Sequence, residues 1–293
     1  VSVEIVLADG RVVRASSEED PDLFWAVRGG GGNFGVVTSF EFRLHPVGPM
    51  IMRGLVAHPV SAAKDVLRLY RDLTASASDD LMLFFALLTG PDGATKLAGI
   101  VAGHTGSHAQ AEPDLRPLKQ FGTPLMDAIG PMPYSVLNSM LDPSFPRGAR
   151  NYWKAHFMDQ LTDEAMDAMI DRFASCPSPM SAVMLEHFHG AAARVPVTDT
   201  AYALRKTGYN LVILSQWMDG ADDGRGVTWA RESYSALQQF TGPSRYLNYL
   251  DHDETAEAAV AAAYGANLDR LRKIKGKYDP NNVFHHNVNI KPV

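Results

Sequence analysis

The chain has 293 residues, of which 46% are hydrophobic and 20% are charged, a composition that is ordinary for a folded globular protein. Its net charge of -6 argues against a nucleic-acid partner, because surfaces that bind nucleic acids are basic. The single cysteine, Cys176, excludes an internal disulfide and a multi-cysteine metal site. No apolar run reaches the roughly 18 residues of a membrane span. We expect a soluble protein without a membrane partner; no targeting segment is visible, and localisation and oligomeric state stay open.

The first 45 residues predict a β-hairpin, a short helix and one further strand. Strands at residues 3–7 and 12–13 flank an Asp-Gly turn. Asp20 is expected to cap the helix, with Pro21 in its first turn. Four consecutive glycines, residues 29–32, then precede an alternating strand at residues 36–44. Because glycine loses the most backbone freedom on folding, this run indicates either a tight connection or a backbone surface that lies against a flat or phosphorylated ligand.

A break that contains proline and glycine at residues 45–49 predicts a domain boundary. After it, strands are predicted at residues 50–57, 81–89, 95–103, 152–158, 182–189 and 209–217. Helices are predicted at residues 62–74, after the N-cap Thr162, and at 229–240 and 256–275. Residues 104–150 are expected to be irregular apart from short helical pieces. The fold class is therefore predicted as α+β, a large antiparallel sheet with helices on one face.

Two local patterns add expectations about burial. Residues 81–88 are continuously apolar, which predicts a strand that is covered on both faces. A basic cluster on the C-terminal helix is predicted to face solvent and to suit the helix dipole, and it consists of Arg270, Arg272, Lys273, Lys275 and Lys277.

Two longer motifs resemble segments of one known enzyme family. The first, at residues 20–38, reads Asp-Pro-Asp-Leu-Phe-Trp-Ala-Val-Arg-Gly-Gly-Gly-Gly-Asn-Phe-Gly-Val-Val-Thr. The second, at residues 277–284, reads Lys-Tyr-Asp-Pro-Asn-Asn-Val-Phe, and Asn-Val-Asn-Ile follows at 287–290. Both resemble the berberine-bridge-enzyme-like flavin oxidoreductases, which are related to vanillyl-alcohol oxidase. The resemblance covers both ends of the chain and, more weakly, its middle.

The resemblance implies an FAD cofactor and two domains. Residues 1–45 and 276–293 would be a remnant of the FAD-binding domain, and residues 46–275 would be the substrate-binding domain with its C-terminal berberine-like segment. Family members carry a further N-terminal region that holds the adenine and pyrophosphate contacts, and this sequence does not include it. We therefore expect the chain alone to bind FAD poorly and to be inactive.

The same resemblance implies which residues contact the flavin. The glycine run would close over the cofactor, and the amides of the C-terminal tail would lie beside its ring. The implied cofactor-binding residues are Gly30, Gly31, Gly32, Asn33, Gly35, Val36, Tyr246, Asn248, Asn287 and Asn289.

Tyr249 is the candidate catalytic base. In an extended segment, Tyr246 and Asn248 point to one side and Tyr249 to the other, and a buried strand with satisfied hydroxyls is the common alternative. The resemblance to the family's Tyr-x-Asn-Tyr pattern implies that Tyr249 removes a hydroxyl proton while hydride passes to flavin N5. The substrate would be an alcohol, a sugar or a secondary metabolite, and oxygen or another acceptor would reoxidise the flavin. A flavin-free domain that binds a small molecule or a partner remains the alternative.

Three further residues are candidates for the substrate site. His187 and His189 alternate onto one face of a predicted strand, so a metal pair is conceivable, but no third ligand accompanies them at a convincing spacing. We therefore predict no metal and interpret the two histidines as pocket-lining or structural residues, with the substrate site as the place to which they are assigned. Gln216, directly before Trp217, is a further polar candidate for the pocket.

Overall fold

The computed structural model describes residues 1–250, 257–286 and 288–293. The chain forms two compact units: the first unit comprises residues 1–45, 191–206 and 243–293, and the second unit comprises residues 46–190 and 207–242. These units differ from the domains expected from sequence. Residues 191–206 and 243–275 were grouped with the substrate-binding domain but pack within the first unit.

The helices and strands have the following bounds in the described residues. Strands β1 to β11 are, in chain order, Ser2–Val6, Val12–Ser16, Val36–Glu41, Met50–Pro59, Leu81–Thr89, Lys96–His104, Met126–Asp127, Gly130–Pro133, Arg150–Met158, Ala182–Phe188 and Gly208–Trp217. Helices α1 to α9 are Pro21–Val27, Ala63–Ala75, His108–Gln120, Tyr134–Leu137, Asp163–Ala174, Ala191–Arg194, Asp223–Leu237, Glu257–Tyr264 and Leu268–Tyr278.

The strands form two antiparallel sheets, one in each unit. The first unit has a three-stranded sheet in the order β2-β1-β3, which includes the predicted hairpin. The second unit has an eight-stranded sheet in the order β7-β4-β6-β5-β10-β11-β9, with β8 also paired to β4. The predicted α+β class, a large antiparallel sheet with helices on one face, is confirmed.

Helices α2, α3, α5 and α7 pack against one face of the large sheet, here called the helix face. Strand β5 shows the contrast between the two faces. Leu83 and Phe85 point into the helix-covered core and are buried, whereas Met82 and Phe84 point to the opposite face and are half-buried. The strand was expected to be covered on both faces; one face is fully buried, and the other is covered only in part. A continuously apolar run here gives alternating burial, because apolar side chains also occupy the less covered face.

The sequence did not predict helix α3, which lies in the region expected to be irregular. Pro113 and Pro117 lie inside it, and proline removes a helical hydrogen bond. The helix nevertheless begins with a capping box, in which Ser107 Oγ accepts from the Gln110 N–H and the Gln110 side chain accepts from the Ser107 N–H. Its residues Ala111, Leu115 and Leu118 are buried in the core of the second unit. Tertiary packing outweighs the unfavourable intrinsic propensity.

Two predictions at helix ends in the first unit are wrong in detail. Asp20 does not cap α1 with its side chain; it has φ 49° and its carboxylate accepts from the Tyr278 hydroxyl at 2.9 Å. The single helix predicted over residues 256–275 is divided into α8 and α9 by a turn at Gly265, which has φ 51°. The turn places the Asn267 amide where it donates to the carbonyls of Val197 and Thr200, at 2.9 and 3.2 Å.

Lys275 is buried, in contrast to its predicted exposure. Its ammonium donates to the Asp279 carboxylate, to the Asn33 carbonyl at 2.7 Å and to the Phe284 carbonyl at 2.8 Å. Asp279 also accepts from the N–H groups of Val283 and Phe284. Burial raises the pKa of Asp279, but these hydrogen bonds outweigh it and bring its pKa below the usual value. Lys275 therefore joins helix α9, the glycine loop and the C-terminal tail.

We expect Lys275→Met to lower the free energy of unfolding by about 3–5 kcal/mol, because it leaves the Asp279 carboxylate buried without its cation. Urea unfolding of the chain measures this change. The matched control is Lys273→Met, which replaces an exposed lysine on the same helix and should change stability by less than about 0.5 kcal/mol. Equal effects of the two substitutions would contradict the assignment.

Candidate functional site

The glycine run combines close packing with an exposed loop surface. A Cβ atom at Gly29 would lie 2.2 Å from the Tyr202 nitrogen, and one at Gly30 would lie 2.5 Å from the Ala26 carbonyl oxygen. At Gly35 it would lie 2.4 Å from the Val6 carbonyl oxygen. These three glycines are required by the packing of the first unit itself. Gly31, with φ 67°, is instead exposed, as are Gly32 and Val36.

Asn33 joins the glycine loop to the C-terminal tail by hydrogen bonds. Its side chain is fully buried; Nδ2 donates to the carbonyls of Gly30 and Val288 at 2.8 and 3.0 Å, and Oδ1 accepts from the Ile290 N–H at 3.0 Å. The two ends of the chain therefore meet, as the resemblance implied. The Asn33 amide is engaged by backbone groups, and its contact with a cofactor stays a prediction.

The hydroxyl of Tyr264 reinforces this junction between loop and tail. It donates to the Gly30 carbonyl at 3.2 Å and lies 3.5 Å from the Val288 carbonyl. Burial raises the pKa of Tyr264 well above its ordinary value, so the hydroxyl stays protonated and acts as a donor.

A pocket of about 280 Å³ lies beside the C-terminal tail in the first unit. It is lined by Glu257, Val260, Arg272, His285, His286, Asn289 and Lys291. Arg272 donates to the Glu257 carboxylate at 2.7 Å, and Asn289 Oδ1 is buried without a hydrogen-bond donor in the described residues. A buried carbonyl oxygen without a donor can accept from a ligand N–H or O–H. Asn287, the neighbouring candidate, lies outside the described residues.

The tyrosine segment is a helical turn rather than the expected extended strand. Residues Leu247–Tyr249 form one turn of 3₁₀ helix, so the predicted alternation of side chains does not apply. The turn still brings the candidates together: Asn248 Nδ2 donates to the Tyr246 hydroxyl at 2.8 Å, and the ring of Tyr249 contacts that of Tyr246 edge-on at 5.2 Å. Three of the predicted site residues are therefore adjacent in space.

Sequence reasoning did not select Tyr202 as a site residue. Its ring lies 6.3 Å from that of Tyr246, and the guanidinium of Arg205 lies over it at 4.6 Å. Burial, followed by the proximity of Tyr246, raises the pKa of Tyr202 to about 12. No spacing rule connects residues 202 and 246, which only the fold brings together.

The three candidate substrate residues do not form one site. His187 lies on the helix face with Leu185, and its ring stacks on His189 at 4.3 Å. Gln216 lies on the opposite face and donates to Asn151 Oδ1 at 3.0 Å. The alternation of the two histidines is correct, but they point away from the face that carries Gln216. In the part of the chain that is described, no group of three His, Cys, Asp or Glu side chains could hold a metal ion.

Two polar residues on the opposite face were missed. Glu186 accepts from Asn210 Nδ2 at 2.7 Å, and Asn210 Oδ1 is buried without a donor in the described residues. Asn210 and Gln216 are separated by an even number of residues on β11 and share this face. Two amides at even spacing in a mainly apolar strand were the available sequence signal.

Several known proteins are similar to this chain. Residues 245–291 match the family model described as berberine and berberine like. An FAD-linked oxidoreductase of Dictyostelium discoideum is 26% identical over 298 residues, which cover 100% of this chain and 63% of the relative. The (R)-6-hydroxynicotine oxidase of Paenarthrobacter nicotinovorans is 29% identical over 303 residues, covering 98% of this chain and 64% of the relative.

A solved structure confirms the similarity of fold. It is a variant of berberine bridge enzyme, described as a reticuline dehydrogenase, with TM-score 0.85 and 19% identity, and the match covers 100% of this chain and 65% of that one. The chain thus spans less than two thirds of the proteins it resembles. Among the described residues, no helix combines the length and apolar character needed to cross a membrane.

We expect Asn33→Ala to release the C-terminal tail. Loss of a buried acceptor leaves the Ile290 N–H without its partner, so its hydrogen exchange should become at least about 10-fold faster. Exchange of the Ile290 amide, measured by NMR, tests this. The control is Asn248→Ala, which removes an exposed amide in the same unit. Unchanged exchange at Ile290 in Asn33→Ala would show that the tail is held by other contacts.

His187 should make stability depend on pH in the mildly acidic range. Burial, and next the proximity of His189, lowers its pKa from 6.5 to about 4. Because the unfolded chain takes up this proton first, stability is lost as the pH falls from 6.5 towards 4. Replacing His187 with Gln should therefore flatten this part of the pH profile of urea unfolding, whereas His45→Gln, at an exposed position, should leave it unchanged.

Proposed function

We propose that this chain, a relative of the berberine-bridge-enzyme-like FAD-linked oxidoreductases, forms the flavin-covering and substrate-binding part of such an enzyme. The enzyme would oxidise an alcohol, a sugar-type compound or a secondary metabolite. The observation that carries the proposal is the Asn33 junction, where two motifs from opposite ends of the chain are hydrogen-bonded into one structure. Both motifs resemble the family's flavin-side segments.

The exposed and unsatisfied groups of the first unit fit a flavin. Gly31 and Gly32 present backbone without side chains, and Asn289 Oδ1 offers an acceptor that no described residue uses. We assign the contact with the cofactor to the loop from Gly30 to Val36, including Gly35, and to the amide of Asn289. Bound FAD supplies the acceptor for the hydride and returns its electrons to oxygen or another acceptor.

Tyr249 is proposed to take the substrate's hydroxyl proton. The edge-on contact with Tyr246 orients its ring, and Tyr246 in turn is held by the hydrogen bond from Asn248. A tyrosine with a pKa of ~10 needs a hydrogen-bonding or positive neighbour to act as a base near neutral pH. Tyr246 and Asn248 would also contact flavin or substrate.

The substrate-binding role is assigned to the opposite face of the large sheet. Gln216 and Asn210 place amides there, and Asn210 retains an unused acceptor within the described residues. His187 and His189 are not part of this proposed surface, because the helix face on which they lie is the packed core side. The substrate is a small molecule, as the names of the oxidase relatives indicate for those proteins.

The test uses the protein at the full length of its relatives. It should be yellow when purified, with the visible absorption of a flavin, and it should be bleached by a substrate under anaerobic conditions. A colourless protein that still binds small molecules would favour the alternative of a flavin-free binding domain.

Tyr249→Phe should slow flavin reduction by about 100-fold or more, because the base is lost, while changing substrate affinity much less. Stopped-flow absorbance measures the reduction rate. The matched control is Tyr134→Phe, which removes an exposed hydroxyl from the second unit. An unchanged rate in Tyr249→Phe would reject the role of Tyr249 as the base.

A further inference from the structure

Arg53 is a buried cation without a counter-ion in the described residues. It lies on β4, and only 4% of its surface is exposed. Its Nε is sealed from solvent and has no acceptor among the residues described. Burial is the only influence on its pKa, which is lowered, so no carboxylate of the described residues compensates the charge.

Such an arrangement is unfavourable unless an anion completes it. A guanidinium remains protonated in proteins, so Arg53 cannot avoid the penalty by losing its charge. Burying an unpaired charge is strongly destabilising. The buried ammonium of Lys275, by contrast, is matched by Asp279 and by two backbone carbonyls. The contrast indicates that the partner of Arg53 comes from outside the described chain.

The strand neighbours of Arg53 on the opposite face of the large sheet carry no side chains. They are Gly103 on β6 and Gly130 on β8. A Cβ at Gly103 would lie 3.7 Å from both Cγ and Cδ of Arg53 and 3.1 Å from Met82 Cε, so the arginine stem lies across the glycine. A Cβ at Gly130 would meet no atom within 4 Å, which leaves open space beside the arginine.

We propose that Arg53, between Gly103 and Gly130, binds a carboxylate, and that this carboxylate belongs to the substrate of the proposed oxidoreductase. The inference rests on the proposed function for its second part only. A carboxylate matches one guanidinium in charge and accepts two parallel N–H···O bonds from it. Phosphate carries more charge and would call for a second cation, and the strand neighbours of Arg53 on this face are glycines. Arg53 would thus select substrates that carry an acid group.

The first experiment measures anion binding to the chain itself, with benzoate as the probe. Benzoate should raise the thermal unfolding temperature of the wild-type chain in a saturable way, because it binds only the folded state. Arg53→Met keeps the apolar stem and should lose this stabilisation. Arg225→Met removes an exposed arginine that is paired with Asp222, and it should retain the stabilisation.

The same titration separates a binding role from a structural one. Without benzoate, Arg53→Met should unfold at a temperature equal to or above that of the wild type, because it removes an unpaired buried charge. Arg53→Gln, which keeps donors but no charge, should also fold and should bind benzoate at least about 10-fold more weakly. Equal benzoate stabilisation in wild type and Arg53→Met, or none in the wild type, would overturn the site.

The second experiment asks whether the carboxylate is the substrate's. Full-length protein is assayed for flavin reduction with 4-(hydroxymethyl)benzoate and with 4-(hydroxymethyl)benzamide, which differ only in the acid group. Wild type should have a lower KM for the acid, and Arg53→Met should reduce this preference by about 100-fold, the effect of truncating one partner of a buried charge pair.

The outcomes distinguish the inference from the proposed function. Reduction of the flavin by both compounds without a preference for the acid would overturn the substrate part and leave the proposed function standing. If neither compound nor any other alcohol reduces the flavin, the proposed function fails, and the benzoate titration alone then decides whether Arg53 binds carboxylates.

Discussion

The buried ammonium of Lys275 is the point on which the first unit depends. It contacts a carboxylate one helical turn away, the backbone of the glycine loop and the backbone of the C-terminal tail. Burying a charge is costly unless its donors are satisfied, so the contacts of Lys275 favour one relative arrangement of these segments. Asn33 adds hydrogen bonds between the same loop and tail. The result is a rigid framework from which Gly31 and Gly32 project as exposed backbone.

The packing of the first unit explains much of the glycine run. Gly29, Gly30 and Gly35 are needed because other backbone atoms occupy the space of a Cβ. Their presence is therefore explained by packing alone, without a ligand. The packing does not require Gly31, which, like Gly32, is an exposed part of the loop to which the cofactor contact is assigned. A motif that resembles a binding loop can thus also have a structural role.

The two faces of the large sheet in the second unit differ in packing and in polar content. The helix face carries the core, and helices α2, α3, α5 and α7 cover it. The opposite face carries isolated polar side chains among apolar ones, namely Arg53, Asn151, Glu186, Asn210 and Gln216. Buried polar groups are retained where they have partners. The unpartnered atoms of Arg53 and Asn210 are the reason why this face is proposed as the surface for a small molecule.

The sequence by itself determined most strands, most helices, the antiparallel α+β class and the pairing of its two terminal motifs, because these follow from local periodicity, turn residues and recognisable motifs. It did not predict the short strands β7 and β8, which lie in the region expected to be irregular. Only the tertiary structure decided that Lys275 is buried, that α3 forms despite Pro113 and Pro117, and that Leu247–Tyr249 is a turn. It alone also showed that Gln216 and the histidines lie on different faces and that Arg53 lacks a partner within the described residues. The physical reason is that burial and charge pairing depend on residues distant in sequence, which no local pattern of side chains encodes.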